Sequence, residues 1–273
     1  MAEKKPLLPT LGKAPGTGEK KPYLAIIGGT GLLDLADLEG LKRVVARTPY
    51  GDPSGPLTMG TLAGVEVVFL ARHGYGHTLP PHEINYRANL WALREKGVTH
   101  AVGVCSVGGI GEKFVPGIIA LPDQIIDYTF GRKSTFFETT FDSPVVHVDF
   151  TWPFSSDLRE KLLEAARAAG ETLASSGTYG ATQGPRLETA AEIERMARDG
   201  ADLVGMTAMP EAALAREAGI EYAIVCPVVN WAAGRGESHK AISAEAIEEA
   251  YQEVGKRIPK LLAALVERFF AIR

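Results

Sequence analysis

The sequence predicts an α/β fold: one domain on a largely parallel or mixed sheet. Two observations predict it. Apolar strand-like runs alternate with amphipathic helical segments from residue 23 onward, and no linker or internal repeat interrupts the alternation. The 273-residue length is ample for such a core. Residues 1–22 are dominated by Lys, Pro and Gly and lack the apolar stretch of a signal peptide. They are expected to form a flexible arm ahead of a domain spanning 23–273.

The elements follow in order. "LAIIG" (24–28) is a short buried strand that runs into the glycine turn of "IIGGTGLLD". "LLDLADLEGLKRVVARTPYGDPSG" is broken by Gly40 and reads as loop. "VEVVFLAR" (65–72) and "HAVGVCSV" (100–107) are further strands. Between them Ile84, Ala88, Trp91 and Ala92 share one helical face, and Gly97 is the stop. In 157–170, Leu158, Leu162, Leu163 and Ala166 face inward until Gly170. Thr189 and Glu192 form a capping box opening the helix to Gly200. "DLVGM" (202–206) is a strand, Pro210 opens a helix to Gly219, and "YAIVCPVVNW" (222–231) is a long apolar strand. The C-terminal segment is expected to be helical, with a kink at Pro259.

Composition narrows the function. A formal net charge of −4 supplies no global basic field for nucleic acid or anionic membrane, so any anion site must be local. No apolar run reaches the roughly 18 residues of a membrane span. Cys105 and Cys226 lie in apolar runs, which predicts buried reduced thiols and a cytoplasmic location.

The glycine turn admits two ligands. A dinucleotide fingerprint needs a third glycine where Asp34 stands, and a helix directly after the turn. A dinucleotide-binding oxidoreductase is therefore the rival of a different class. The simpler ligand is a phosphate ion, approached by the backbone N–H groups of Gly28, Gly29 and Gly31 and by the Thr30 hydroxyl. A plain structural turn also fits this stretch by itself.

Five segments in order, "AIIGGTGL", "LARHGYGHTLPPHEINYRANLWALREKG", "QGPRLETAAE", "GMTAMPEAALA" and "VVNWAAG", resemble the trimeric purine nucleoside phosphorylase superfamily on its methylthionucleoside branch. The resemblance implies a mixed, barrel-like sheet surrounded by helices, and a homotrimer with sites at subunit interfaces. It implies phosphorolysis of a nucleoside to a free purine and a ribose-1-phosphate. Inorganic phosphate is the co-substrate, with no metal or organic cofactor.

For phosphate, the resemblance implies Thr30, Arg72, His73, the backbone at Cys105–Ser106, and Thr207, with His77 in support. An arginine fork suits phosphate oxygens, and hydroxyls add donors. Met206 is expected to pack on the sugar. The base falls to Leu187, Glu188 and Asn230, with Trp231 and Ala232 adjoining. Asn230 is assigned, with Arg72 and His73, to catalysis: its amide can donate to O6 and accept the N7 proton as a 6-oxopurine leaves. The Glu188 carboxylate can accept from N1–H. At the 5′ end, Ser243 or Ala244 provides a small apolar wall, closed by His147 from a neighbouring subunit. A 6-oxopurine pocket joined to an apolar 5′ pocket resembles the S-methyl-5′-thioinosine phosphorylases. Methylthioadenosine phosphorylase and inosine/guanosine phosphorylase are the alternatives.

Overall fold

A computed structural model describes residues 23–29, 38–137 and 146–271. The N-terminal arm and Thr30 lie outside the described residues. Twelve strands form one mixed sheet: β1 (Leu24–Gly28), β2 (Glu39–Val44), β3 (Leu57–Leu62), β4 (Val65–Ala71), β5 (His100–Val104), β6 (Val107–Gly109), β7 (Ile119–Ala120), β8 (Gln124–Asp127), β9 (Leu173–Ala174), β10 (Thr178–Ala181), β11 (Leu203–Gly205) and β12 (Glu221–Trp231). The helices are α1 (Tyr86–Glu95), α2 (Ser156–Ala168), α3 (Ala190–Asp199), α4 (Ala208–Ala218), α5 (Ala244–Gly255) and α6 (Ile258–Phe269). The α/β architecture is the one expected.

The main path runs β2-β3-β4-β1-β5-β12-β6-β11-β10-β8. β12 joins its two halves. Its first residues pair in parallel with β5, and its last pair with β6 beyond a register shift between Val228 and Asn230. A strand serving both halves must be apolar on both faces, as "YAIVCPVV" is. The faces are covered separately. On one side Ala25, Ile27 and Leu70 pack with Leu90, Leu93 and Leu214, from α1 and α4. On the other, Leu24, Ile26 and Phe69 pack with Leu158, Leu162, Leu261 and Leu265, from α2 and α6.

Local signals held at the helix ends. Thr189 and Glu192 form both bonds of the capping box, and Asn85 caps α1 by accepting from Ala88 N–H at 3.1 Å.

Three expectations are corrected. β2 lies in the segment read as loop. Its residues are nearly all exposed, so it carries no apolar alternation. The run 100–107 is two strands, parted at Cys105–Ser106. Within α4 the regular helix runs from Pro210 as expected, since Met209 before it has extended backbone (φ −115, ψ 135). The C-terminal segment is two helices rather than one kinked helix, because Pro259 sits in the first turn of α6, where a missing N–H costs nothing.

Topology also disposes of the dinucleotide unit. The next described strand after β1 is β2, which pairs antiparallel with β3, two strands away from β1. A βαβ crossover would place a parallel strand there.

Candidate active site

β1, β4, β5 and β12 run parallel, so their carboxyl ends gather at one side of the sheet. A cleft of about 820 Å³ opens there, lined by Gly29, Arg72, His73, His77, the Val104–Gly108 segment, Leu187, Glu188, Met206, Thr207, Asn230 and Ala232. The break at Cys105–Ser106 is what opens it, since those residues leave the sheet between β5 and β6.

Arg72 is the largest fully buried side chain. Its fork is turned to the Glu211 carboxylate and not to the cleft. Nε donates to Glu211 Oε2 and Nη2 to Glu211 Oε1, both at 2.7 Å. Nη1 donates to the Val104 carbonyl at 3.0 Å and Nη2 to the Ile27 carbonyl at 3.3 Å. Four of the five guanidinium N–H groups are thus engaged. Arg72 offers the cleft its positive field, not a bidentate grip. Burial opposes its charge, and the Glu211 carboxylate outweighs that and holds it protonated.

Glu211 is the residue that the sequence reading missed. It is fully buried and also accepts from the Tyr222 hydroxyl at 2.6 Å. The available signal was a carboxylate inside the apolar stretch that opens the helix, Ala208–Ala215, where a buried charge requires a partner.

His73 Nδ1 lies 2.8 Å from the Leu79 carbonyl. A carbonyl only accepts, so Nδ1 carries the proton and Nε2 of the neutral ring is an acceptor. The His77 ring stacks on it at 4.4 Å, held by a left-handed backbone (φ +55). Burial, with the nearby Arg72 and His77 charges, lowers the His73 pKa to about 4 despite the Leu79 bond. Its effect on stability has a definite sign. Between pH 6.5 and about 4 the unfolded chain binds the proton and the folded one does not, so stability falls as pH falls through that window. Urea unfolding across this range should give a shallower pH slope for His73→Gln than for the wild type. Equal slopes would mean that His73 titrates normally in the fold.

Thr207 is buried. Its hydroxyl donates to Cys105 Sγ at 3.4 Å and its N–H to the Tyr179 hydroxyl at 3.3 Å. Burial pushes the Cys105 thiol up, so it is protonated. Ser106 is exposed to the cleft.

On the base side, the Thr182 hydroxyl donates to Glu188 Oε1 at 2.6 Å. Glu188 Oε2 has no hydrogen-bond partner among the described residues and belongs to the cleft wall. Asn230 Nδ2 donates to the Trp231 carbonyl at 2.6 Å. That carbonyl fixes the amide orientation and leaves one N–H and Oδ1 for a ligand. Met206 lines the cleft with its side chain against Gly184. Leu187 stands half-exposed at the rim, and Ala232 is buried beside Ile110, Val204 and Met196.

Three expected residues stand apart. Trp231 points away from the cleft, as its neighbour Asn230 points in, and its ring packs on Gly236. Ala244 is exposed at the start of α5, because Ser243 caps that helix by accepting from Ala246 N–H at 3.2 Å. The cap sets the register, so Ile247 and Tyr251, one turn apart, form the wall with Ile242. His147 is exposed and outside the cleft of a single chain.

A family model of the phosphorylase superfamily matches residues 23–267. A probable S-methyl-5′-thioinosine phosphorylase of Xanthomonas campestris pv. campestris is 53% identical over 242 residues, 89% of this chain and 96% of that protein. The 6-oxopurine nucleoside phosphorylase of Pyrococcus furiosus is 44% identical over 90% of this chain and 92% of its own length. Among solved structures, methylthioadenosine phosphorylase from Schistosoma mansoni in complex with adenine superposes with a TM-score of 0.85 at 32% identity, over 90% of this chain and 91% of that one.

Proposed function

The chain belongs to the phosphorylase superfamily and is an enzyme of the purine nucleoside phosphorylase type, and we propose that it cleaves S-methyl-5′-thioinosine with phosphate to hypoxanthine and 5-methylthioribose-1-phosphate. The observation that carries the base assignment is Glu188. One carboxylate oxygen is taken by Thr182, and the other is free in the cleft as an acceptor. It matches N1–H of a 6-oxopurine, whereas adenine N1 is itself an acceptor and would face it unpaired. The 5′ wall of Ile242, Ile247 and Tyr251 suits a methylthio group. The relatives named for S-methyl-5′-thioinosine support the same reading.

In the proposed reaction the C1′–N9 bond breaks as a phosphate oxygen bonds to C1′. The transition state carries positive charge on the sugar and negative charge on the base. Asn230 receives the latter by donating to O6, and its Oδ1 accepts from N7–H once a solvent proton has gone to N7 of the departing purine anion. Phosphate is held by Thr30, the Ser106 backbone and Thr207, under the field of Arg72, and its own P–OH donates to His73 Nε2. Catalysis is then positioning and electrostatics. Inorganic phosphate is the co-substrate, and neither a metal nor an organic cofactor is invoked. We also assign a homotrimer in the cytoplasm, with His147 reaching a neighbour's 5′ pocket. The buried free thiols of Cys105 and Cys226 are consistent with a reducing compartment.

Glu248 and Gln252 also line the 5′ end, which favours inosine as the second reading. Their mutual bond, Gln252 Nε2 to Glu248 Oε1 at 2.8 Å, occupies one carboxylate oxygen and leaves the other, with the Gln252 amide oxygen, to meet a 5′-hydroxyl. The test is phosphate-dependent base release from 5′-methylthioinosine, 5′-methylthioadenosine and inosine, compared by kcat/KM. Methylthioinosine should lead. Methylthioadenosine in front would overturn the role given to Glu188, inosine in front the 5′ wall, and no release the whole assignment.

A further inference from the structure

Arg132 is half-buried and does not line the cleft. Its guanidinium nevertheless reaches the backbone behind both sides of it. Nη2 donates to the carbonyls of Thr182 (3.1 Å) and Gln183 (2.8 Å), directly after β10. Nη1 donates to the carbonyls of Met206 (2.8 Å) and Met209 (2.5 Å), directly after β11, and to the Tyr86 hydroxyl at 3.3 Å. Nε donates to Gln183 Oε1 at 3.1 Å. Among the described residues no carboxylate pairs with it.

Each held carbonyl sits next to a part of the proposed site. Thr182 gives its hydroxyl to Glu188. Met206 and Thr207 line the sugar and phosphate side. Met209 lies two residues before Glu211, the partner of Arg72. We infer that Arg132 is a positioning residue, a planar clamp whose single guanidinium sets the spacing between the base-reading segment after β10 and the sugar–phosphate segment after β11. A lysine cannot replace it, because one ammonium has three donors and no fixed fork.

The inference rests on the cleft reading given above, and the test separates the two. Arg132→Lys keeps the charge, and Arg132→Leu is made beside it. A misplacement near 1 Å costs on the order of 10²-fold in rate. We therefore expect kcat of Arg132→Lys to fall by about 10²-fold while KM for nucleoside and for phosphate each stay within about 3-fold, the signature of lost alignment rather than lost binding. Amide hydrogen exchange should quicken together in 182–189 and 205–211 and stay unchanged in α2 and α6. Wild-type kcat in Arg132→Lys, a loss seen only in KM, or unchanged exchange in both segments would overturn the clamp. So would a loss that follows global unfolding in both variants. A wild-type protein inactive on every nucleoside would sink the functional reading instead, and hydrogen exchange would then decide on Arg132 by itself.

Discussion

Glu211→Gln is expected to lower folding stability by about 3–5 kcal/mol, the cost of stranding one member of a buried ion pair. Arg72 is 1% exposed and Glu211 0% exposed, and the pair closes through two bonds of 2.7 Å. The glutamine keeps the shape and one acceptor oxygen, but its NH₂ then faces a donor, so the loss combines the missing charge with a missing acceptor. Tyr222 adds to it, since its buried hydroxyl donates to the same carboxylate. Urea unfolding measures the loss directly. Replacing both partners with apolar residues, Arg72→Met with Glu211→Leu, should recover much of the stability, because no charge then remains buried. It should not recover phosphorolysis, since the cleft has lost its fixed cation. A Glu211→Gln protein as stable as the wild type would show that the Arg72 charge is compensated by something other than this carboxylate.

The sequence made some parts of this molecule readable and hid others for physical reasons. β1, β4 and β12 are buried on both faces, so their apolar runs stand out. α3 announces itself through a cap that needs only residues three apart. By contrast, β2 is an exposed edge strand, and burial is what writes a pattern into sequence. The parting of β5 from β6 falls at Cys105–Ser106, where one small serine exposed to the cleft is a weak mark in an otherwise apolar run. In the cleft, most of the expected residues converge from separate strand ends. The fork of Arg72 could not be foreseen as occupied, because its partner lies 139 residues away. The 5′ wall was readable in principle. Ser243 as N-cap fixes the start of α5, and Ile247 and Tyr251 then share its inward face.

Glu188→Gln should turn the base preference around. The Thr182 hydroxyl has one proton and gives it to Glu188 Oε1 at 2.6 Å. An amide nitrogen cannot accept that proton, so in the variant the amide oxygen faces Thr182 and the NH₂ takes the place of Oε2. The cleft would then present a donor where it had presented an acceptor. Hypoxanthine N1–H loses its partner, and adenine N1 gains one. Each mismatch leaves a buried polar group unpaired at about 1–3 kcal/mol, so the two together should swing the ratio of kcat/KM values for methylthioadenosine and methylthioinosine by about 10²–10⁴-fold. The outcome turns on the Thr182 proton. Its alternative acceptor is the Gly205 carbonyl at 3.3 Å. If the hydroxyl turned there it would accept from the glutamine NH₂, the amide oxygen would face the base, and the 6-oxopurine preference would persist. Glu188→Leu removes that route, since no polar atom is left at this position to meet N1. A preference for methylthioinosine that survives in Glu188→Leu would mean that N1 is read by a residue other than Glu188.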